Sequence, residues 1–282
     1  MALKFKYCTS TEKRTGLQIV PGILPPETQV LLLSQLMHRD LANSKHKINL
    51  EADYQIPYPL PRQDPADTET QNDVEYKSFF TYPQASKAIS LTPKDSSKHK
   101  PLNTAQFLAK KLRWLTIGEQ YDWPTRSYPK NGPTSFPSDI SKLVSGLFPH
   151  IKAESGVVLL YSPKDYMPVH RDVSEQCERG LASFSLGCDG IFVVARGEDE
   201  VEGGGRTVAL RVKSGDVIHM DGETRWAWHA MPRTIAGTCP EWMAQWPVGT
   251  PGASEEEKKM YDKWSGYMAG KRLNISCRQV WD

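Results

Sequence analysis

The sequence predicts an α+β protein, with helices gathered in the first half of the chain and a sandwich or barrel of short strands in the second. Three observations predict it. From Ser155 onward, short β-rich segments are separated by turn signals such as "CDG", "EGGG", "KSGD" and "DGE", which is the pattern of closely spaced strands. Before that point, apolar residues recur at helical spacing in several segments. The chain is 282 residues long, 39% hydrophobic and 24% charged, enough to bury a core and ordinary for a globular protein.

Taken in order, "PPETQVLLLSQLMHRDL" opens with prolines suited to a helix start and carries Val30, Leu33, Met37 and Leu41 on one face, so an early amphipathic helix is expected. Residues 43–103 turn polar and proline-rich, and the prolines interrupt any long element. A long excursion that could act as a lid is expected there. A helix follows around Thr104–Arg113. Another is expected in "PSDISKLVSGLFPH", capped by Ser138, with Ile140, Leu143, Val144 and Leu147 on its apolar face. The strands are "GVVLLY", "LASFSLG", "GIFVVA", "RTVALRV", "DVIHM" and "RLNISCRQV", with an insertion at 239–264 that holds a short helix at Ser254–Trp264. The expected organisation is a helical N-terminal extension with lid and recognition region over 1–153, and a β core over 154–282, forming one compact unit.

No apolar run approaches the roughly 20 residues that span a bilayer, and the start "MALKFKYCTS" lacks a secretory apolar core. A soluble intracellular protein, nuclear, cytoplasmic or mitochondrial, is expected. The five scattered cysteines match neither a disulfide framework nor a zinc ribbon, which agrees with a reducing compartment. Net charge is only +2, but between Lys87 and Lys130 nine basic residues face three acids, interleaved with Trp114, Tyr121, Trp123 and Tyr128. Charge for phosphates and rings for bases are what a nucleic-acid surface needs. A solvated loop with core aromatics accounts for the same pattern equally well.

The chemistry concentrates in "MPVHRDVSE", where His170 and Asp172 are two apart at the apparent end of a strand. Alternate strand residues share a face, so both could address one metal ion, about 6–7 Å apart at the backbone. His229 in "RWAWHAMPR" offers a third ligand. Two histidines and one carboxylate form the facial set of non-haem Fe(II) oxygenases, which leaves three positions open. Alone the pattern is weak, because isolated histidines are more often surface or core residues.

"RLNISCRQV" strengthens it. Arg272, Asn274, Ser276 and Arg278 share one strand face, and Leu273, Ile275 and Cys277 the other. Guanidiniums suit carboxylates through bidentate bonds. Two of them, with backbones roughly 20 Å apart, could hold the ends of a small dicarboxylate shaped like 2-oxoglutarate. A solvated edge strand carrying ordinary charges is the competing reading. "EGGGR" at 202–206 reads as a hairpin turn rather than a phosphate loop, and His219 in "DVIHM" as an exposed residue opposite its apolar neighbours.

"HRD", the distal His229 and "RLNISCR" together resemble the AlkB family of Fe(II)/2-oxoglutarate dioxygenases, whose signature is His-x-Asp, a distal His and Arg-x-Asn-x-x-x-Arg. The likeness is closest to the eukaryotic AlkB homologue 1 subfamily, through "LRWLTIGEQYDW", "FPSD", "LASFSLGCDGIF", "SGDVIHM", "HAMPR" and "RLNISCRQV" in the same order. It covers residues 104–282 well, Leu17–Asn43 loosely and 44–103 not at all. The resemblance implies a double-stranded β-helix, or jelly-roll, buttressed by helices, with iron at its mouth. It implies His170, Asp172 and His229 as iron ligands. For 2-oxoglutarate it implies Arg272 on the distal carboxylate, helped by Tyr161 and Asn274, and Arg278 nearer the metal.

Many relatives carry Asn-x-Tyr where this chain has Leu159, Leu160 and Tyr161, so one donor to the cosubstrate is missing. The implied reaction is oxidative demethylation of a nucleobase, releasing succinate, carbon dioxide and formaldehyde. Such an enzyme works on an unpaired or flipped-out base. Tyr121, Trp123 and Tyr128 match the recognition region, and Ser174 stands where bacterial relatives place a base-reading aspartate. Methylated adenine, as 6-methyladenine in DNA or 1-methyladenine in transfer RNA, is the expected substrate, acted on by a monomer with no membrane partner. An oxygenase acting on histone or other protein methyl groups and a non-catalytic jelly-roll binding module are the alternatives.

Overall fold

The computed structural model describes residues 16–59, 78–85, 90–122, 124–130, 135–196 and 205–282. Strand β1 (Gly16–Val20) leads to α1 (Pro26–Ser34), which continues as a π-helical turn through Gln35–Asp40. Leu33, Met37 and Leu41 are fully buried, as the spacing predicts, and truncating any one costs about 2–5 kcal/mol. Three short strands, β2 (Tyr54–Gln55), β3 (Ser90–Pro93) and β4 (Leu102–Asn103), form a small antiparallel sheet. A π-helical segment at Gln106–Lys111 precedes β5 (Trp114–Gly118), and α2 spans Ser138–Leu147. Its N-cap is Pro137 without a side-chain bond, so Ser138 is the first helical residue rather than the cap.

The β core follows: β6 (Ser155–Tyr161), β7 (Met167–His170), β8 (Leu181–Gly187), β9 (Gly190–Arg196), β10 (Arg206–Val212), β11 (Val217–Asp221) and β12 (Trp228–Thr234). Short helices α3 (Glu241–Ala244) and α4 (Glu255–Tyr261) intervene before β13 (Arg272–Arg278). Ser254 caps α4 in a capping box with Glu257. One sheet has the order β1-β11-β8-β13-β6-β5 and the other β10-β9-β12-β7. The chain from β6 to β13 shuttles between the two sheets, which is the double-stranded β-helix, or jelly-roll. The connection expected to turn at "EGGG" lies outside the described residues except for Gly205; β9 and β10 on either side pair antiparallel.

Strands β1 and β5, from before residue 153, are integral to the larger sheet. The main core lies on that sheet's outer face, where Phe184, Leu273 and Ile275 meet the N-terminal helix and the insertion. The described residues of 43–103 supply Ile48, Leu50, Phe79, Phe80, Leu91 and Leu102 to this core and contribute no wall to the central cavity described below; residues 60–77 and 86–89 of the excursion expected to act as a lid lie outside the described residues. Phe80 is fully buried, with ring centroids 4.9, 5.2 and 5.0 Å from Trp246, Trp264 and Tyr267. Such an aromatic cluster anchors a segment rather than letting it swing.

Candidate active site

His170 is the last residue of β7 and His229 the second of β12, and the antiparallel register pairs them directly. Their ring centroids are 4.3 Å apart. Asp172 lies past the strand end, so the expected one-strand geometry is replaced by a strand residue and a loop residue. The loop brings the carboxylate in: Asp172 Oδ1 is 3.9 Å from His170 Nε2. One ligand atom from each of the three lies within 4.8 Å of the others. His170 Nδ1 donates to the Pro168 carbonyl at 2.8 Å and His229 Nδ1 to that of Ala227 at 3.1 Å. A carbonyl can only accept, so the proton sits on Nδ1 and each Nε2 lone pair faces the common point.

The electrostatics keep these donors competent. Burial pushes the His229 pKa down, against the pull of Asp172, favouring the neutral imidazole that binds metal. Burial alone would raise Asp172; the Arg278 guanidinium, 3.2 Å away, and the two imidazoles outweigh it and hold the carboxyl below its usual range.

The triad opens onto a cavity of about 360 Å³ between the sheets. Strand β13 forms its floor. It runs between β8 and β6 and is buried along its whole length, so the edge-strand reading falls. Arg272, Asn274, Ser276 and Arg278 line the cavity, while Leu273, Ile275 and Cys277 enter the core behind.

Arg272 is fully buried, with Nη2 donating to Ser185 Oγ at 2.8 Å and Nη1 to the Cys188 carbonyl at 3.4 Å. Its Nε, also buried, has no hydrogen-bond partner. Burial lowers its pKa to about 10, still charged at neutral pH. Among the described residues no carboxylate lies within ion-pair distance of it. A Cβ on Gly190 would meet Arg272 Nε at 2.9 Å, so glycine makes room for this side chain. Burial pushes the Tyr161 hydroxyl up to about 12, against the nearby Arg272 charge, which leaves a neutral donor beside the cation.

A buried cation without an anion is costly. A diacid placed here would supply the missing charge, and the two-histidine, one-carboxylate cluster beside it is the donor set of a ferrous ion. The residues present therefore fit both groups. Asn274 Nδ2 donates to Ser183 Oγ at 2.8 Å and to the Phe184 carbonyl at 2.9 Å, which uses both of its protons. Leu159 also lines the wall and offers no donor.

Arg278 is engaged differently. Nη1 lies 3.0 Å from Glu175 Oε1 and 3.2 Å from Asp172 Oδ2, and Nη2 donates to Ser276 Oγ at 3.0 Å. It therefore braces Asp172. Glu175 also accepts from Arg225 Nη2 at 2.8 Å, and Arg225 Nη1 donates to the Asp172 backbone carbonyl at 2.8 Å. Sequence reasoning missed Glu175, Arg225 and Ser185. Glu175 could have been noticed three residues after Asp172; Arg225 carries no local signal.

Tyr121, Tyr128 and Ser174 all line the same cavity. The two tyrosine rings meet edge-on at 5.4 Å, and Ser174 Oγ donates to the Tyr121 hydroxyl at 3.3 Å. Trp123 lies outside the described residues. At the rim Arg171 covers the Trp228 ring at 5.3 Å, and Tyr166, Val169 and Val173 are exposed.

The basic stretch is partly spent internally. Lys98 pairs with Asp95 at 3.1 Å, Arg113 with Asp165 at 3.3 Å, and Lys130 lies over Trp281 at 5.1 Å. Lys87 lies outside the described residues, and Lys100, Lys110, Lys111 and Arg126 are exposed.

A jelly-roll with this donor set and buried arginine defines an iron- and 2-oxoglutarate-dependent oxygenase, and the 2OG-Fe(II) oxygenase superfamily model matches residues 79–278. The chain belongs to that superfamily. It is 39% identical to the N6-methyladenosine RNA demethylase ALKB1 of Pyricularia oryzae, over 94% of this chain and 74% of that protein. It is 40% identical to the N6-methyladenosine RNA demethylase ALKBH of Cryphonectria parasitica, over 81% of this chain and 98% of that one. With the tRNA demethylase abh1 of Schizosaccharomyces pombe it shares 32% identity, over 96% and 81%. The solved structure of OsALKBH1 shares the fold, with a TM-score of 0.50 at 18% identity, covering 94% of this chain and 97% of that one. Among the described residues no helix is long and apolar enough to cross a membrane.

Proposed function

We propose that this chain oxidatively removes methyl groups from adenine in nucleic acid, with N-methyladenine in unpaired RNA as the leading substrate. The observation that carries it is the pair of tyrosines, Tyr121 and Tyr128, walling the same cavity as the triad and the arginine strand. Fe(II) and 2-oxoglutarate, when bound, supply the oxidising equivalents from dioxygen that hydroxylate an N-methyl carbon, after which formaldehyde leaves. The protein's own residues hold, orient and shield.

In this reading His170, Asp172 and His229 hold the iron, and Arg272 with Tyr161 takes the distal carboxylate, while Asn274, its amide protons engaged by Ser183 and Phe184, shapes the wall beside them. Arg278 steadies Asp172, and its buried Nε, without a hydrogen-bond partner, would be left for the cosubstrate. A base must leave its stack to reach such a cavity, and one base–aromatic stack is worth about 1–3 kcal/mol. Tyr121 and Tyr128, with Ser174 tying the first, would receive it; Trp123 is assigned here by sequence alone. The cation-capped Trp228 at the rim suits a neighbouring unpaired base. The RNA demethylase names of the relatives at 39% and 40% identity favour RNA. We take the working unit to be an intracellular monomer.

The test is formaldehyde release from four substrates: N6-methyladenosine RNA, 1-methyladenosine tRNA, N6-methyladenine DNA and a methyl-lysine histone peptide. The expected order puts RNA first, with turnover abolished by His170→Ala. Preferential release from the peptide would overturn the nucleic-acid reading, and undiminished succinate release by His170→Ala would overturn the ligand assignment.

A further inference from the structure

Strand β11 alternates across its sheet. Ile218 and Met220 wall the cavity, so His219 and Asp221 face the opposite side. There they meet His150, in the turn after α2. Alternation along the sequence predicts an exposed His219; it is instead fully buried, because that turn covers it. Its ring lies flat on Phe148, centroids 4.4 Å apart at 16°, with His150 edge-on at 5.2 Å.

One ligand atom from each of His150, His219 and Asp221 lies within 4.8 Å of the others. His150 Nε2 is 3.5 Å from Asp221 Oδ2, against 3.9 Å for the equivalent His170–Asp172 pair. The second cluster is gathered as tightly as the triad. The backbone also leaves space for it: a Cβ on Gly180 would stand 2.6 Å from His219 Nε2 and 3.1 Å from the Asp221 Cβ. Glycine therefore keeps the region beside that nitrogen open. His150 and Asp221, at 28% and 18% side-chain exposure, leave a path from solvent.

We propose that His150, His219 and Asp221 form a second metal site, for a borderline divalent transition ion such as zinc, on the face of the sheet away from the triad. Two imidazoles and a carboxylate, with water in the fourth place, is a tetrahedral zinc set. Magnesium and calcium prefer all-oxygen shells. Zinc bonds of about 2.0–2.1 Å require the donors to draw closer, which rotation of the two partly exposed side chains supplies. The buried histidine is the fixed member, held by Phe148. The ion would tie the turn after α2 to β11, a structural clamp that takes no part in oxidation.

The probe is Zn(II), added stepwise to the full chain, with bound metal counted after desalting. The His170→Ala/His229→Ala variant is expected to retain one equivalent and to melt higher with zinc. Adding His150→Ala and Asp221→Asn should abolish both effects. Equal uptake and equal melting with or without His150 and Asp221 would overturn the site. Should the triad variant fail to fold, the otherwise native chain decides. It is expected to take two equivalents, and His150→Ala/Asp221→Asn one, with 2-oxoglutarate turnover retained; the same count in both overturns the proposal. Asp221→Asn keeps the oxygen that accepts from the Gly222 amide, so loss of zinc in that variant reports ligation rather than a broken turn.

Discussion

Replacing Glu175 by glutamine should destabilise the protein and loosen its iron at once. The Glu175 and Arg225 side chains are 1% and 0% exposed and meet at 2.8 Å. Arg278 lies 3.0 Å from Glu175 and 3.2 Å from Asp172, so two guanidiniums are balanced by two carboxylates. Burial alone would raise the Glu175 pKa, but Arg278 and Arg225 hold it below its usual range, and it is ionised at neutral pH. Glutamine keeps the shape and one acceptor and removes the charge, leaving both cations to Asp172.

Breaking a buried pair while keeping its partner costs about 3–5 kcal/mol. The surviving acceptor puts this case near the lower end, at about 3 kcal/mol. At about 2–4 °C per kcal/mol for a chain of this size, the melting midpoint should fall by about 6–12 °C. Because Asp172 must then serve both cations, the iron concentration for half-maximal succinate release should rise about 10–100-fold, with kcat changed less. In a double-mutant cycle with Arg225→Gln, the pair should cost less than the sum of the singles by at least about 1 kcal/mol. A midpoint shift under about 2 °C, or an unchanged iron requirement, would refute the argument that this cluster braces Asp172 as an iron ligand.

Two further outcomes follow from the charges. Lys110 and Lys111 are exposed; if they contact phosphates of a single strand, Lys110→Ala/Lys111→Ala should lower the salt slope of RNA binding by about 1.4, at about 0.7 per contact, and an unchanged slope removes them from the binding surface. Lys271 is pushed by burial from the ordinary 10.5 down to about 8. Between those values the unfolded chain binds a proton that the folded chain has released, so this group makes stability rise with pH across the window and adds a constant penalty below it. Lys271→Met removes this pH dependence together with the Nζ hydrogen bonds to the Ala109 carbonyl and Ser162 Oγ, so the native chain should gain on the variant by about 2 kcal/mol, after allowing for partial exposure, between neutral pH and about pH 10.5. Urea melts at the two pH values check it, and a pH-independent difference rejects it.

What could be read from the sequence was whatever chemistry forces into residue type or period. Strand β13 is the clearest case: alternation alone separated Arg272, Asn274, Ser276 and Arg278 from Leu273, Ile275 and Cys277, and the structure puts the two sets on opposite faces. His170, Asp172 and His229 were legible as a set because a divalent ion needs those donor types, and the structure gathers them. What was illegible depended on distant partners. The proline-rich stretch read as an excursion because nothing local says that Phe80 packs on Trp246, Trp264 and Tyr267. Strand β5 was hidden inside a basic, aromatic segment, and His219 looked exposed because only the turn after α2, remote in sequence, buries it.

The same contrast explains why the arginine face was the strongest single signal. A guanidinium that is fully buried, with Nε lacking a hydrogen-bond partner, is a net cost to folding unless something else balances it. Arg278 is balanced from within, by Asp172 and Glu175, and braces both. Arg272 donates, among the described residues, to the Ser185 hydroxyl and the Cys188 carbonyl, with the Asp189 and Asp216 charges acting on it from beyond ion-pair distance. The two arginines, alike in sequence and six residues apart on one face, thus divide the work. One holds Asp172 in place; the other stores an unmet demand for an anion, and a dicarboxylate cosubstrate is the group that would meet it.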